Sequence, residues 1–349
     1  MNHVLTPTAA NLTSDRSAMN QKADREDEAG ALHFTDFTAV DLKALKPYYG
    51  LRPNETCDNT PLDTYLWRNY FKNRRFVIPG KAVLFLAEEN GTPVAYLPLC
   101  KAEDLPELFR LQEQYFNQVL KQPMQVIYAD EAGVSLLQDA GALEGYDVTE
   151  SEDLKDYLYD GEKLRTLSGR HLSKKRNHLH RFEAEYGGRW EYRKLSFSDR
   201  DAVFAFLNNW KDGKEETGEG EGVAADESTY DALESLEAEA HGTFDIFSDE
   251  TVFGEVEAGG IFIDGKLKAF SIGSYNEAEK MAVIDIEKAD PEIDGLYQAI
   301  NQQFLLHAFP DAVLVNREDD VGLPGLRNSK LSYDPIGYAR KFLLKQKSF

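Results

Sequence analysis

The chain has 349 residues, 42% of them hydrophobic, which is enough to bury the cores of two domains rather than one. Lys and Arg number 39 against 61 Asp and Glu, and the net charge of -22 excludes a surface that binds polyanions indiscriminately. Two cysteines exclude a disulfide framework and lack the spacing of a zinc site, so no metal is expected. No 18 apolar residues run together, so we expect a cytoplasmic protein without an integral membrane segment.

The first elements along the chain are a polar tail and a predicted N-terminal domain over residues 31–150. Residues 1–30 lack an apolar core and are expected to be disordered. The hairpin VLFLAEENGTPVAYLPLC turns at Asn90-Gly91, a pair that tolerates left-handed dihedrals. A helical pattern from Leu105 to Leu120, the strand MQVIYAD and a short helix near Glu131 follow it.

The second half, residues 151–349, repeats this plan. Its hairpin GGIFIDGKLKAFSIGSY turns at Asp264-Gly265 and is followed by the strand MAVIDIEKA. A helix over about 296–309, the strand AVLVN and a helix over about 323–331 complete it. The repeated order predicts a duplicated α/β (α+β) fold with mixed sheets flanked by helices, and it is also the order of elements in the Gcn5-related acetyltransferase (GNAT) fold, which many α/β folds share in part. The first domain lacks the charged block found after the second hairpin, and we expect it to be mainly structural.

An acidic insertion is predicted over residues 211–241, with 11 Asp or Glu against Lys211 and Lys214. Charge runs are usually solvated, so a surface insertion is favoured, with an acidic docking element as the alternative.

The segment KLRTLSGRHLSKKRNHLHR, residues 163–181, opposes the overall charge with three Lys, four Arg and no acid. On a helical wheel Lys175 falls between Phe182 and Tyr186 on the apolar side. A buried ammonium needs a counter-charge or an anion, which favours a function for this lysine. The alternative is a solvated basic face of an amphipathic helix.

Two carboxylates follow in the strand IDIEKA, where alternation puts Asp285 and Glu287 on one face, about 7 Å apart. Such a pair can hold a basic amine or act as a general base, or it can be a strand end paired with Lys288. In the next helix Tyr297 and Asn301 lie four residues apart, and the helix start is a natural anion site.

The stretch VNREDDVGLPGLRNSKLSY adds a third group of polar residues. Arg317 can bind a carboxylate or phosphate through two hydrogen bonds, with Glu318 or Asp320 fixing its orientation. Arg327 and Lys330 lie three residues apart on the helix after the turn. The group forms either an anion-binding wall or a salt-bridged connection.

Taken in order, the blocks DYLYDGEKLRTLSGRHLSKKRNHLHRF, IDIEKADPEIDGLYQAINQQF and VNREDDVGLPGLRNSKLSYDP resemble the C-terminal domain of phosphatidylglycerol lysyltransferases, especially its soluble bacterial branch. The resemblance covers residues from about Leu32 to Phe342. It implies two tandem acetyltransferase-like domains with a functional cleft between or beneath them. Characterised members move an aminoacyl group from a charged tRNA to a lipid hydroxyl. Their membrane-spanning region is absent from this sequence, so a lipid acceptor is not implied.

The resulting hypothesis is an acyl or aminoacyl transferase that uses aminoacyl-tRNA or acyl-CoA as donor and an amine or hydroxyl on a small molecule or peptide as acceptor. No covalently bound cofactor is expected. The alternative is a degenerate GNAT-fold module that binds RNA, a nucleotide or a peptide without catalysis. The predicted catalytic residues are Glu287, Asp285 and Tyr297. The predicted substrate- and anion-binding residues are Lys174, Lys175, Arg176, Asn177, Lys288, Asn301, Asn316, Arg317, Glu318, Arg327, Lys330 and Tyr333.

Overall fold

The computed structural model describes residues 32–208 with their side chains, the backbone of 209–216, and residues 238–348. The predicted tail, residues 1–30, lies outside the described residues. So does most of the predicted acidic insertion, of which 217–237 are not described.

The first half alternates strands and helices as the sequence predicts. Its elements are β1 Thr35–Asp36, α1 Ala39–Ala44, α2 Lys46–Tyr49, α3 Pro61–Leu66, β2 Arg74–Ile78, β3 Ala82–Glu89, β4 Thr92–Val94, the 3₁₀ turn Ala102–Asp104, α4 Leu105–Gln114 with its π-helical extension Tyr115–Leu120, β5 Gln125–Asp130, α5 Glu131–Asp139 and β6 Tyr146–Glu150.

The second half repeats the plan with longer strands. Its elements are the 3₁₀ turn Glu152–Leu154, β7 Asp156–Asp160, α6 Gly161–Thr166, α7 Ser173–Tyr186, β8 Trp190–Lys194, the 3₁₀ turn Phe197–Asp199, α8 Arg200–Glu216, α9 238–246, α10 Glu250–Phe253, β9 Glu257–Ile263, β10 Lys266–Asn276, β11 Met281–Ala289, α11 Leu296–Ala308, β12 Leu314–Asn316, α12 Pro324–Leu331, β13 Gly337–Ala339 and β14 Lys341–Gln346.

Both hairpin turns form where the sequence places them. Asn90 and Gly91 have φ of 49° and 76°, and Asp264 and Gly265 have φ of 50° and 76°. Two consecutive left-handed residues match the twist of the flanking strands, which is why Asn-Gly and Asp-Gly occur here.

Three sheets organise the molecule, in the orders β1-β2-β3-β4, β5-β14-β6 and β13-β7-β12-β11-β10-β9-β8. A parallel bridge between Ala95 and Val126 links the first two. In the seven-stranded sheet β11 runs parallel to β12 from Met281 to Val283. Beyond Val283, β11 continues to Ala289 without β12. The confirmed fold class is therefore mixed α/β, with a gap where two parallel strands diverge.

One strand of the second half lies in a sheet of the first. Strand β14, near the end of the sequence, lies between β5 and β6 of the first half, whereas β7 lies between β12 and β13 in the sheet of its own half. Strand β14 therefore crosses the predicted boundary near residue 150. One apolar core also spans both halves, since Phe85 packs in the same cluster as Phe270 and Ile286. The halves are consequently joined by hydrogen-bonded sheets as well as by side-chain packing.

Among the described residues, none of the helices is both long enough and apolar enough to cross a bilayer.

The position of β14 in a sheet of the first half predicts that the stabilities of the two halves are coupled. Leu344 on β14 is fully buried in the core of the first half. Leu344→Ala should lower the free energy of unfolding by about 2–5 kcal/mol, because it leaves a cavity. Urea titration followed by circular dichroism measures this, and hydrogen exchange should accelerate in β11 of the other half as well.

Val313→Ala is the control, because this valine is 64% exposed and its truncation should cost no more than about 0.5 kcal/mol. Faster exchange confined to the first half would contradict the coupling.

Candidate functional site

The basic helix α7 packs on the start of α11. Gly295 precedes α11 with φ of 83°, and a Cβ there would lie 2.2 Å from the carbonyl oxygen of His178. Asp294 does not cap α11; it pairs with His178 at 2.5 Å and with Arg181 at 3.2 Å. The glycine is thus required by close contact between helices, which fixes α7 and its lysines beside β11 and β12.

Five side chains form what we call the Arg317 cluster. They come from α7, β11, α11 and the segments that follow β12 and α12: Lys175, Glu287, Asn301, Arg317 and Tyr333. Arg317 donates to Glu287 at 2.9 Å, and Asn301 donates to the other oxygen of Glu287 at 2.9 Å. The Lys175 ammonium lies 4.0 Å from the centre of the Tyr333 ring, and the Arg317 guanidinium lies 4.5 Å from it. Lys175 is thus half-buried and contacts an aromatic ring, and its need for a counter-charge or anion stays a prediction.

This cluster holds more positive than negative charge. Burial and, to a lesser extent, the nearby Arg317 lower the pKa of Lys175 to about 8, while Glu287 opposes the shift. Arg317 Nη1 and Asn301 Oδ1 are buried without a hydrogen-bond partner among the described residues. A buried donor or acceptor without a partner costs about 1–3 kcal/mol, so each of these two atoms needs a hydrogen-bond partner that the described side chains do not supply.

Asp285 does not share a face with Glu287, so the prediction from strand alternation is wrong. The register between β10 and β11 pairs Ile272 with Ile286 and Gly273 with Ile284, so Asp285 is the extra residue of a β-bulge. Glu287 therefore faces α11, whereas Asp285 accepts from Ser274 at 3.2 Å on the opposite face, toward the first half. Burial raises the pKa of Asp285 to about 8, and its Oδ1 has no hydrogen-bond partner among the described residues.

On that opposite face a second group, which we call the interdomain cluster, gathers carboxyl groups of both halves around a thiol and an ammonium. Its members are Cys57, Asp58, Asp63, Asp156, Asp285, Glu318, Asp319 and Lys341. Lys341 is 1% exposed and contacts Asp58 at 2.7 Å, Asp156 at 2.8 Å and the Cys57 sulfur at 3.3 Å. Two sets of potential metal ligands lie within it: Cys57, Asp63 and Glu318, and Cys57, Asp58 and Asp156.

The carboxylate that orients Arg317 is Glu287, not Glu318 or Asp320 as the sequence predicted. Glu318 has φ of 57° and lies in the interdomain cluster, where burial raises its pKa well above the usual range. Asp320 accepts from Tyr157 at 2.5 Å and from Arg327 at 2.7 Å. Glu287 holds Arg317 instead, because the left-handed backbone of Glu318, immediately after Arg317, goes with a Glu318 side chain that lies in the interdomain cluster.

Asn316 and Arg327 fasten the loop after β12. Asn316 donates to Asp156 and to the carbonyl of Glu55, both at 2.9 Å, so it connects the two halves. Arg327 also pairs with Asp153 at 2.6 Å, which matches the salt-bridged connection weighed in the sequence.

Lys330 is buried, and its ammonium donates to the carbonyls of Arg317, at 2.6 Å, and Asp319. It stabilises the loop that positions Arg317.

The remaining predicted residues lie around the Arg317 cluster. Lys174 and Asn177 are exposed on α7, and Arg176 donates to the carbonyls of Leu167 and Gly169. Lys288 points to the other side of β11 from Glu287 and pairs with Glu239 at 2.9 Å. Tyr297 packs on the core beneath α11.

Sequence reasoning missed the interdomain cluster. Its members come from segments as far as 284 positions apart, from Cys57 to Lys341, and no short spacing signals that these segments meet. Asp156 and Lys341, both fully buried in strands, are the signal that a closer reading offers, because a charge at an inward strand position needs a partner.

Known proteins share both the sequence pattern and the fold. An uncharacterized protein of Mycoplasmoides gallisepticum is 25% identical over 303 residues, covering 81% of this chain and 90% of that protein. A conserved protein of unknown function from Bacteroides thetaiotaomicron superposes with a TM-score of 0.76 at 24% identity, covering 90% of this chain and all of the other. The L-PGS structure from Bacillus licheniformis gives a TM-score of 0.61 at 14% identity, covering 88% and 92%.

These likenesses confirm the predicted GNAT-like fold and the resemblance seen in the sequence. The sequence profile of one family matches residues 51–345, which is most of the chain. The chain belongs to the family described as phosphatidylglycerol lysyltransferase, C-terminal.

Proposed function

We propose that the protein is an acyl or aminoacyl transferase that takes aminoacyl-tRNA as donor and an amine or hydroxyl of a small molecule or peptide as acceptor. Family membership and the GNAT-like fold support group transfer. The observation that carries the donor site is the Arg317 cluster, where two cations face one tyrosine ring and share one carboxylate.

The Arg317 cluster fits an anionic ligand. Lys175 and Arg317 repel each other, and Glu287 balances only one of the two charges. An incoming phosphate accepts hydrogen bonds from Arg317 Nη1 and from Lys175, while Asn301 Oδ1 accepts one from a hydroxyl or amine of the same ligand. The phosphate and ribose at the acceptor end of tRNA provide both groups.

The transfer reaction needs little from the protein beyond positioning of the donor and acceptor and stabilisation of developing negative charge. The acceptor nitrogen or oxygen forms a bond to the aminoacyl carbonyl carbon, the ester bond to the ribose breaks, and the acceptor proton ends on the ribose oxygen. Cations near the donor stabilise the negative charge that develops on the carbonyl oxygen. Glu287 and Asn301 hold Arg317 in place for this task.

A donor assay tests the proposal. The purified protein is incubated separately with tRNA charged with labelled amino acids and with labelled acetyl-CoA, each with the small-molecule and peptide fraction of a cell extract. We expect label to move from tRNA into a new product only when the protein is present. Transfer from acetyl-CoA alone would assign the other donor. Binding of tRNA without transfer would refute the transferase and leave the binding module.

Arg317→Lys tests the two-pronged contact. It keeps the charge but removes the planar fork that bonds Glu287 and the ligand together. We expect donor affinity, measured by filter binding, to fall roughly tenfold to a hundredfold, as for a lost hydrogen bond between charged groups. Arg189→Lys is the matched control, because Arg189 holds Asp264 through two hydrogen bonds at the exposed turn between β9 and β10, and this variant should bind donor as the parent protein does. An equal loss in both variants would contradict the assignment.

Lys175 predicts a pH dependence. With its pKa at about 8, the ammonium is charged below that pH and neutral above it. Donor affinity should therefore be constant below pH 8 and decrease as the pH rises through about 8. In Lys175→Arg the decrease should vanish, because arginine stays charged.

The exposed neighbour serves as control: Lys174→Arg should keep the decrease. A decrease that persists in Lys175→Arg would exclude Lys175 as its source.

A further inference from the structure

The interdomain cluster contains more acid than its ammonium groups balance. Six carboxyl groups, those of Asp58, Asp63, Asp156, Asp285, Glu318 and Asp319, act on one another there. The nearby ammonium groups are those of Lys341 and Lys330. Buried carboxylates in such excess need either protons or a cation.

Lys341 supplies the cation for one side of the cluster only. Its ammonium contacts Asp58, Asp156 and the Cys57 sulfur, which is one of the two potential ligand sets. The other set uses the same sulfur with Asp63 and Glu318. Within the described residues neither of these two carboxylates forms an ion pair. Among the described residues, Lys341 is thus ion-paired with the carboxylates of the first set, whereas the charge of Lys330 acts on Glu318 only from beyond ion-pair distance.

An unpartnered oxygen points to the same place. Asp285 is 4% exposed, and its Oδ1 has no hydrogen-bond partner among the described side chains. After burial, the charge of Asp285 contributes most to the raised pKa of Glu318, and it also raises that of Asp63. Asp285 thus faces Asp63 and Glu318, the two carboxylates that form no ion pair among the described residues.

We propose that Cys57, Asp63 and Glu318 bind a divalent transition-metal ion of the zinc type between the two halves, with Asp285 as the neighbouring oxygen donor. One thiolate and two or three carboxylate oxygens form a donor set that zinc accepts. The three ligand atoms lie within 4.8 Å of one another. Neighbouring ligands of tetrahedral zinc lie roughly 3.5 Å apart, so a shift of about 1 Å closes the site. The thiol proton leaves to solvent when the metal binds.

Cobalt is the probe that tests this assignment, because a cobalt–thiolate bond gives an absorption band in the near ultraviolet that carboxylate or histidine ligands do not give. The full-length protein is titrated with Co²⁺ and then with Zn²⁺. We expect one equivalent to bind with the thiolate band, and Zn²⁺ to displace it. Histidines of α7 that bind cobalt on the surface would produce no such band.

Variants locate the ligands. Cys57→Ser should abolish the band, and Asp63→Asn and Glu318→Gln should each weaken metal affinity by at least about tenfold. Cys100→Ser is the matched control, because Cys100 is the other cysteine of the chain, and it should keep the band. Circular dichroism confirms that each variant is folded. Asp63→Asn decides the matter if Cys57→Ser does not fold.

Three results would overturn the proposal: no thiolate band with the parent protein, a band that depends on Cys100, or a band and affinity unchanged in both Asp63→Asn and Glu318→Gln. Thermal stabilisation by methylammonium without any metal uptake would show that an ammonium group occupies the proposed metal position. This result would also overturn the proposal. Donor binding through the Arg317 cluster is measured separately, so failure of one proposal is distinguishable from failure of the other.

Discussion

The buried ammonium of Lys341 joins strand β14 to strand β7, and much of the structure depends on it. Lys341 lies on β14, which belongs to the sheet of the first half, while Asp156 lies on β7, in the sheet of the second. Breaking such a pair by removing one partner typically costs about 3–5 kcal/mol, because a buried charge is left alone. The interaction therefore fixes the two sheets relative to each other at the point where polar groups of both halves meet.

A β-bulge in β11 places the two clusters on opposite sides of that strand. The bulge at Asp285 turns its side chain toward the first half, and Glu287, two residues later, faces α11. An unbroken strand would have put both carboxylates on the same side. One inserted residue thus separates a basic site suited to an anion from an acidic site suited to a cation.

Backbone conformation controls which carboxylate serves Arg317. The left-handed residue Glu318 reverses the chain, and Lys330 holds the reversed loop by donating to two of its carbonyls. Two neighbouring residues therefore serve different clusters, with Arg317 beside Tyr333 and Glu318 beside Asp63. The predicted anion-binding wall is in this way divided: Arg317 lies beside Tyr333 and Glu287, and Lys330 supports the loop.

The sequence by itself determined the repeated α/β plan, the two hairpin turns and the positions of α11 and α12, because hydrophobic period and turn residues are local signals. It also identified Lys175 as a lysine that requires partners, since helix geometry alone places it among apolar neighbours. Only the tertiary structure decided that β14 joins a sheet of the first half, that a bulge interrupts β11, and that Cys57 lies close to Glu318. Strand pairing and bulges depend on contacts between distant segments, and no local pattern encodes which segment arrives.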